Sequence, residues 1–172
     1  MYLTPSLRLL VGTLGLIGTA YASRAASGAD ATADLRVQAL VEASCRLEGG
    51  TLDFGTYQSE QNNDQQARTR IKYRCPEGLD ITLNLGPGEH PTRRSRGMEH
   101  DDDDDTLAYQ LFKDQSFTES WGDGASNGSG LNISSTPGGG PESVNVFGEI
   151  PAGQDVPPGA YNDTVLITLI VN

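Results

Sequence analysis

The chain has 172 residues, the length of one ordinary domain, and a formal net charge of −11 from 23 acidic and 12 basic residues. That balance argues against nucleic acid as a partner, because nucleic acid is bound by neutralising phosphates with Lys and Arg. It describes a soluble, self-repelling protein.

Met1 to Ala22 reads as a secretory leader: Arg8 precedes the apolar run Leu9 to Ile17, which ends in small residues and Ala20-Tyr21-Ala22. The apolar run is shorter than the roughly 20 residues of a membrane-spanning helix. Cleavage after Ala22 removes Arg8 and no acidic residue, taking the charge from −11 to −12. Cys45 and Cys75 then face an oxidising compartment, where one disulfide is the expected state. A zinc site needs more ligands than two cysteines and two distant histidines provide.

Ser23 to Thr32 is small and polar, a flexible lead-in. From Ala33 to Ala43 every odd position is apolar, so Leu35, Val37, Ala39 and Val41 share one side of an extended segment. A lone strand cannot bury that side. The segment is either the seventh strand of this chain's own sandwich or a strand lent to another chain. It runs into Cys45 with no Gly, Pro or Asn at which to reverse, which favours the second use.

Leu47 to Tyr57 reads as a broken strand turning at Gly49-Gly50, and Gln58 to Ala67 as a polar loop. Thr69 to Cys75 and Leu79 to Leu85 alternate as strands around a Pro76-Glu77-Gly78 turn. Gly86 to Asp105, with three arginines and five consecutive aspartates, reads as one long loop without a face to bury. Strands follow at Thr106 to Lys113 and Ser143 to Ile150, separated by an irregular Gly-rich region holding Trp121. The last strand, Thr164 to Val171, is apolar on both sides and is expected deep in a sandwich. About six strands after Cys45, punctuated by Gly and Pro, indicate an all-β sandwich one strand short of the seven in the simplest immunoglobulin-like form.

Several spaced elements resemble the spore coat protein U family, which includes pilins of archaic chaperone-usher pili. They are Leu52-x-Phe54-Gly55-x-Tyr57, Ile71-x-Tyr73-x-Cys75, Arg96-x-Met98, Leu107-x-Tyr109-x-Leu111-Phe112 and Trp121-Gly122. Ile150-Pro151-Ala152-Gly153-Gln154 and Pro158-Gly159-x-Tyr161-x-Asp163-Thr164-Val165 complete the set. The resemblance implies an incomplete immunoglobulin-like β-sandwich, completed by donor-strand exchange. It divides the chain into a leader (1–22), an extension with the donor strand (23–44) and a pilin domain (45–172). The implied partners are identical or related pilin subunits, a periplasmic chaperone and an outer-membrane usher. The product would be a cell-surface pilus supporting attachment and biofilm formation. Leu35, Val37, Ala39 and Val41 become the donor pegs, and Cys45–Cys75 the family disulfide. The acceptor groove is expected along Val165, Ile167 and Leu169, the more apolar row of the last strand. The Asp101 to Asp105 run exceeds the family's usual loop.

Other chemistry finds little support. An EF-hand counted from Asp101 needs Gly and Glu where Thr106 and Phe112 stand. His90 and His100 read as surface histidines, and Arg93, Arg94 and Arg96 as loop partners of the aspartates. No Gly-x-Ser-x-Gly elbow or dinucleotide fingerprint is present, so neither catalysis nor a cofactor is expected. The alternative function is a self-contained secreted coat or adhesion module binding carbohydrate or surfaces through Trp121.

Overall fold

The structure is a computed structural model that describes residues 33, 35–42, 44–92, 95–125, 127–134, 136–138 and 140–172. The leader, Ser23 to Thr32, Arg93 and Arg94 lie outside the described residues. Two units divide the chain, residues 1–39 and 40–172. In the first, the described residues have no regular secondary structure, and Leu35 and Val37 are 88% and 82% exposed.

The described residues of the second unit form nine strands: β1 Arg46–Glu48, β2 Gln65–Arg74, β3 Ile81–Leu85, β4 Arg96–His100, β5 Thr106–Phe112, β6 Leu131–Ile133, β7 Glu142–Ile150, β8 Tyr161–Asn162 and β9 Ile167–Val171. They form a six-stranded sheet, ordered β1-β2-β7-β5-β4-β8, and a three-stranded sheet, ordered β6-β3-β9. Every strand pairing is antiparallel. Alternation selects the inner faces. Ile71 and Tyr73 of β2, Leu107, Tyr109 and Leu111 of β5, and Val146 and Ile150 of β7 meet Ile81, Leu83 and Leu85 of β3 in one core. Cys45 and Cys75 form a disulfide that fastens the start of β1 to the residue after β2.

Gly148 lies on the inner face of β7, where a side chain would strike Leu52 and Phe54. Its bareness lets the Leu52-x-Phe54 segment lie over the sheet. Tyr57 then donates to the carbonyl of Pro151 and accepts from the Gln154 N–H. Two of the spaced motifs are thus halves of one junction.

Four expectations are corrected. The Gly86 to Asp105 loop contains β4, whose inward positions Arg96, Met98 and His100 include two polar residues, so no apolar alternation marks it. The last strand is an edge strand, with Leu166 73% and Ile170 43% exposed on its outer side. His100 is buried: the Asp102 and Asp103 N–H groups donate to its Nδ1, which leaves the proton on Nε2, 3.3 Å from the Pro158 carbonyl. Arg96 is fully buried and caps backbone instead of pairing with aspartates, donating to the carbonyls of Gly86, Leu85 and Trp121 at 2.8–3.0 Å.

Candidate functional site: an open strand position between the sheets

β9 pairs with β3 along one edge, and no described strand pairs with the other. The ladder shows which backbone groups this leaves unmatched. The Gly86 N–H donates to the Leu166 carbonyl and the Asn172 N–H to the Asp80 carbonyl. Even-numbered residues of β9 therefore turn their polar backbone toward β3. In an antiparallel strand the direction alternates residue by residue, so Ile167, Leu169 and Val171 turn theirs to the open edge. Residues opposite one another share a face, and Leu85, Leu83 and Ile81 are buried opposite Ile167, Leu169 and Val171. The open hydrogen-bonding positions thus belong to the row that points inward.

Beside this edge the sandwich gapes. Leu47 and Gly49, at and just after β1, form one lip, and residues 164–167 with the Gly86–Glu89 turn form the other. The gap continues into a cavity of 230 Å³ between the sheets, lined by Ile71, Leu111, Val146, Val165 and Ile167 among others. Among the described strands β1 is bonded only to β2, so a second open strand edge faces the same opening.

The polar end of the cavity is held by Asp163. One of its carboxylate oxygens accepts from the Glu89 N–H at 2.8 Å and the other from the Tyr109 hydroxyl at 2.6 Å. Burial, and then the bond to Asp163, push the Tyr109 hydroxyl well above its ordinary pKa, so it stays a donor at any physiological pH. Burial pulls Arg96 below its usual value, opposed by Tyr109, Asp163 and Asp123. Gly88 sits at φ 85°, a region other residues rarely adopt, and a side chain there would collide with Asp163. The network fixes the backbone that leads into β9.

Of the residues expected in the groove, Val165 and Ile167 line the cavity, while Leu169 packs opposite Leu83 outside its lining. Alternation in β2, β5 and β7 could have supplied the far wall of Ile71, Leu111 and Val146. The Arg96–Tyr109–Asp163 constellation has no signature in spacing. Trp121 is fully buried, its indole N–H donating to the Leu83 carbonyl, and offers no surface to carbohydrate. No cluster of metal-binding side chains occurs among the described residues.

Two antiparallel sheets around a shared core, with a vacant place beside the last strand, define an immunoglobulin-like all-β protein. The chain belongs to the Spore Coat Protein U domain family, whose description matches residues 31–168. It is 34% identical over 159 residues to Protein U of Myxococcus xanthus, covering 84% of this chain and 87% of that protein. Its fold is similar to a chain in the crystal structure of the CsuC-CsuE chaperone-tip adhesion subunit pre-assembly complex from archaic chaperone-usher Csu pili of Acinetobacter baumannii. That match has a TM-score of 0.56 and 25% identity, and covers 75% of this chain and 40% of the other. The chain spans less than half the length of that structural relative.

Proposed function

We propose that the chain is a structural subunit of a chaperone-usher fibre, polymerising by strand donation from its N-terminal segment. The carrying observation is the open edge of β9, where unmatched backbone groups and inward apolar side chains belong to the same residues. An added strand would satisfy those groups and bury alternate side chains, the strand-addition mode of recognition. Leu35, Val37, Ala39 and Val41 have the required alternation, and Leu40 and Val41 are 85% and 90% exposed at the start of the second unit. Burying Leu35, Val37 and Val41 from that state contributes about 1.5–3 kcal/mol each, and Ala39 less. Such a joint is head-to-tail, and head-to-tail joints that do not close propagate as filaments.

On this reading residues 1–22 are a leader, 23–44 carry the donor strand and 45–172 form the acceptor domain. A periplasmic chaperone would cover the apolar edge until an outer-membrane usher passes the subunit into a surface fibre serving attachment and biofilm formation. The subunit would act without catalysis.

The full chain should be produced with its chaperone and usher, and fibres counted by electron microscopy. Leu35→Asp with Val37→Asp is expected to abolish fibres while the subunit still binds chaperone. Deleting residues 23–43 should do the same. Normal fibres from either variant would overturn the donor assignment.

A further inference from the structure

Five of the 12 basic residues stand together on the outer face of the six-stranded sheet. Arg68, Arg70, Lys72 and Arg74 alternate along β2 with the inward Ile71 and Tyr73, and all four are exposed. Arg46 of β1 lies directly opposite Arg74. The neighbouring positions on β7 add no charge: Asn145 faces Arg70 and Ser143 faces Lys72. Glu48 faces Lys72, and Glu149 lies beyond the far end of the row, bonded to Gln66. The close acid–base contacts among the described residues, His90–Glu99 and His100–Asp103, involve none of Arg46, Arg68, Arg70 and Lys72, which have no carboxylate partner there. In so acidic a chain, this row is a local concentration of positive charge.

The same chain holds an opposite one. Asp101 to Asp105, between β4 and β5, are all exposed. Strand register places them at the opposite end of the sheet. Arg68 faces Phe147 of β7, and Phe147 faces Phe112 of β5, so these three are level. From Phe112 back to Thr106 the strand runs about 20 Å at about 3.4 Å per residue, while β2 runs on from Arg68 to Arg74 in the other direction. That separation exceeds the screening length of about 8 Å at physiological ionic strength. The loop therefore does not neutralise the row of its own molecule.

We propose that the basic row receives the Asp101–Asp105 loop of a second copy of the chain. Alternate β2 side chains stand about 7 Å apart along a straight line, and the five aspartates crowd one compact turn, closed by the bond from the His100 N–H to the Asp105 carbonyl, which offers a dense negative tip to that row. Each molecule carries both halves at opposite ends, so the contact repeats from copy to copy with the same polarity. It adds a charged contact separate from strand insertion, because neither half lines the cavity or its mouth. Linked copies would feel it strongly, since a covalent or inserted connection raises the effective concentration of a weak second contact.

Charge exchange tests this with the full chain. One variant carries Arg68→Glu, Arg70→Glu and Lys72→Glu, and the other Asp102→Lys, Asp104→Lys and Asp105→Lys. Self-association is followed by sedimentation at low and high NaCl. The parent is expected to lose about tenfold in association at high salt, from three or four exposed pairs worth about twofold each. Each variant alone should lose that salt-sensitive part, and an equimolar mixture should regain it. The Leu35→Asp with Val37→Asp variant should keep it, which separates this contact from strand donation. Salt-independent association of the parent, unchanged single variants or a mixture without recovery would each overturn the proposal. So would binding of an acidic polysaccharide to the row while the loop variant associates as the parent does.

Discussion

The bond between Cys45 and Cys75 does more than cross-link the chain, and its removal offers a quantitative test. The cysteines are 30 residues apart, and closing such a loop in the unfolded chain contributes about 3–4 kcal/mol on the chain-entropy account. For a domain of this size, 1 kcal/mol moves the melting temperature by roughly 3–4 °C, so Cys45→Ser with Cys75→Ser should lower Tm by about 10–15 °C. The larger consequence is local. β1 is held to β2 by only three register pairs, Arg46–Arg74, Leu47–Tyr73 and Glu48–Lys72, and it carries Leu47 at one lip of the open strand position. Released at its start, β1 should fray and the lip recede. Thermal unfolding gives the first magnitude, and capture of a synthetic peptide of residues 33–43 reads the second. A variant melting within about 3 °C of the parent, or capturing the peptide equally well, would refute the reasoning.

Three further outcomes follow from the same geometry. In the isolated subunit the amides of Ile167, Leu169 and Val171 should exchange with deuterium faster than those of Thr168 and Ile170. In assembled fibres the odd-numbered set should slow tenfold for each roughly 1.4 kcal/mol of net strand binding, and equal rates throughout would contradict the register. Arg96→Met strips donors from the carbonyls of Gly86, Leu85 and Trp121 and should cost about 3 kcal/mol or more in urea unfolding, whereas a neutral effect would mean water serves them equally well. Asp114 accepts backbone N–H groups of Glu119, Thr118 and Ser116, which hold its carboxyl below the ordinary value of 3.8. Its folded value being lowered, the turn's contribution is present above the unfolded value and is lost as pH falls through the folded one. Amide shifts of Thr118 and Glu119 should report that midpoint below 3.8, and a midpoint at or above it would remove the assigned cause.

What the sequence revealed and what it hid have a common physical origin. Strands β2, β3, β5 and β7 alternate apolar inside and polar outside, and each stands out at a period of two. Strand β4 escaped notice because its inward side chains are an arginine, a methionine and a histidine, sustained by backbone carbonyls and N–H groups from distant segments. Trp121 looked available for sugars because Gly and Ser surround it in the sequence, yet it is fully buried in the shared core with its indole N–H on the Leu83 carbonyl. Apolar residues on both sides of β9 suggested depth. The strand instead stands at an edge, where outward Leu166 and Ile170 remain exposed. Val165 and Ile167, picked out by the unbroken alternation of their row, line the cavity, while Asp163 and Tyr109 meet only through the fold.

Gln154 has a role that its place in an irregular, half-buried connection conceals. Its amide oxygen accepts from the Ala108 N–H and its amide nitrogen donates to the Ala108 carbonyl, both at 2.8 Å, where β7 has already turned away from β5. One side chain thus imitates a missing stretch of backbone and stops the ladder from unzipping toward the β4–β5 tip. The segment that follows leaves this splint, pairs as β8 at the edge of the same six-stranded sheet and only then crosses to the other sheet as β9. A carboxylate in place of the amide would turn an oxygen onto the Ala108 carbonyl and undo the mimicry with almost no change in shape.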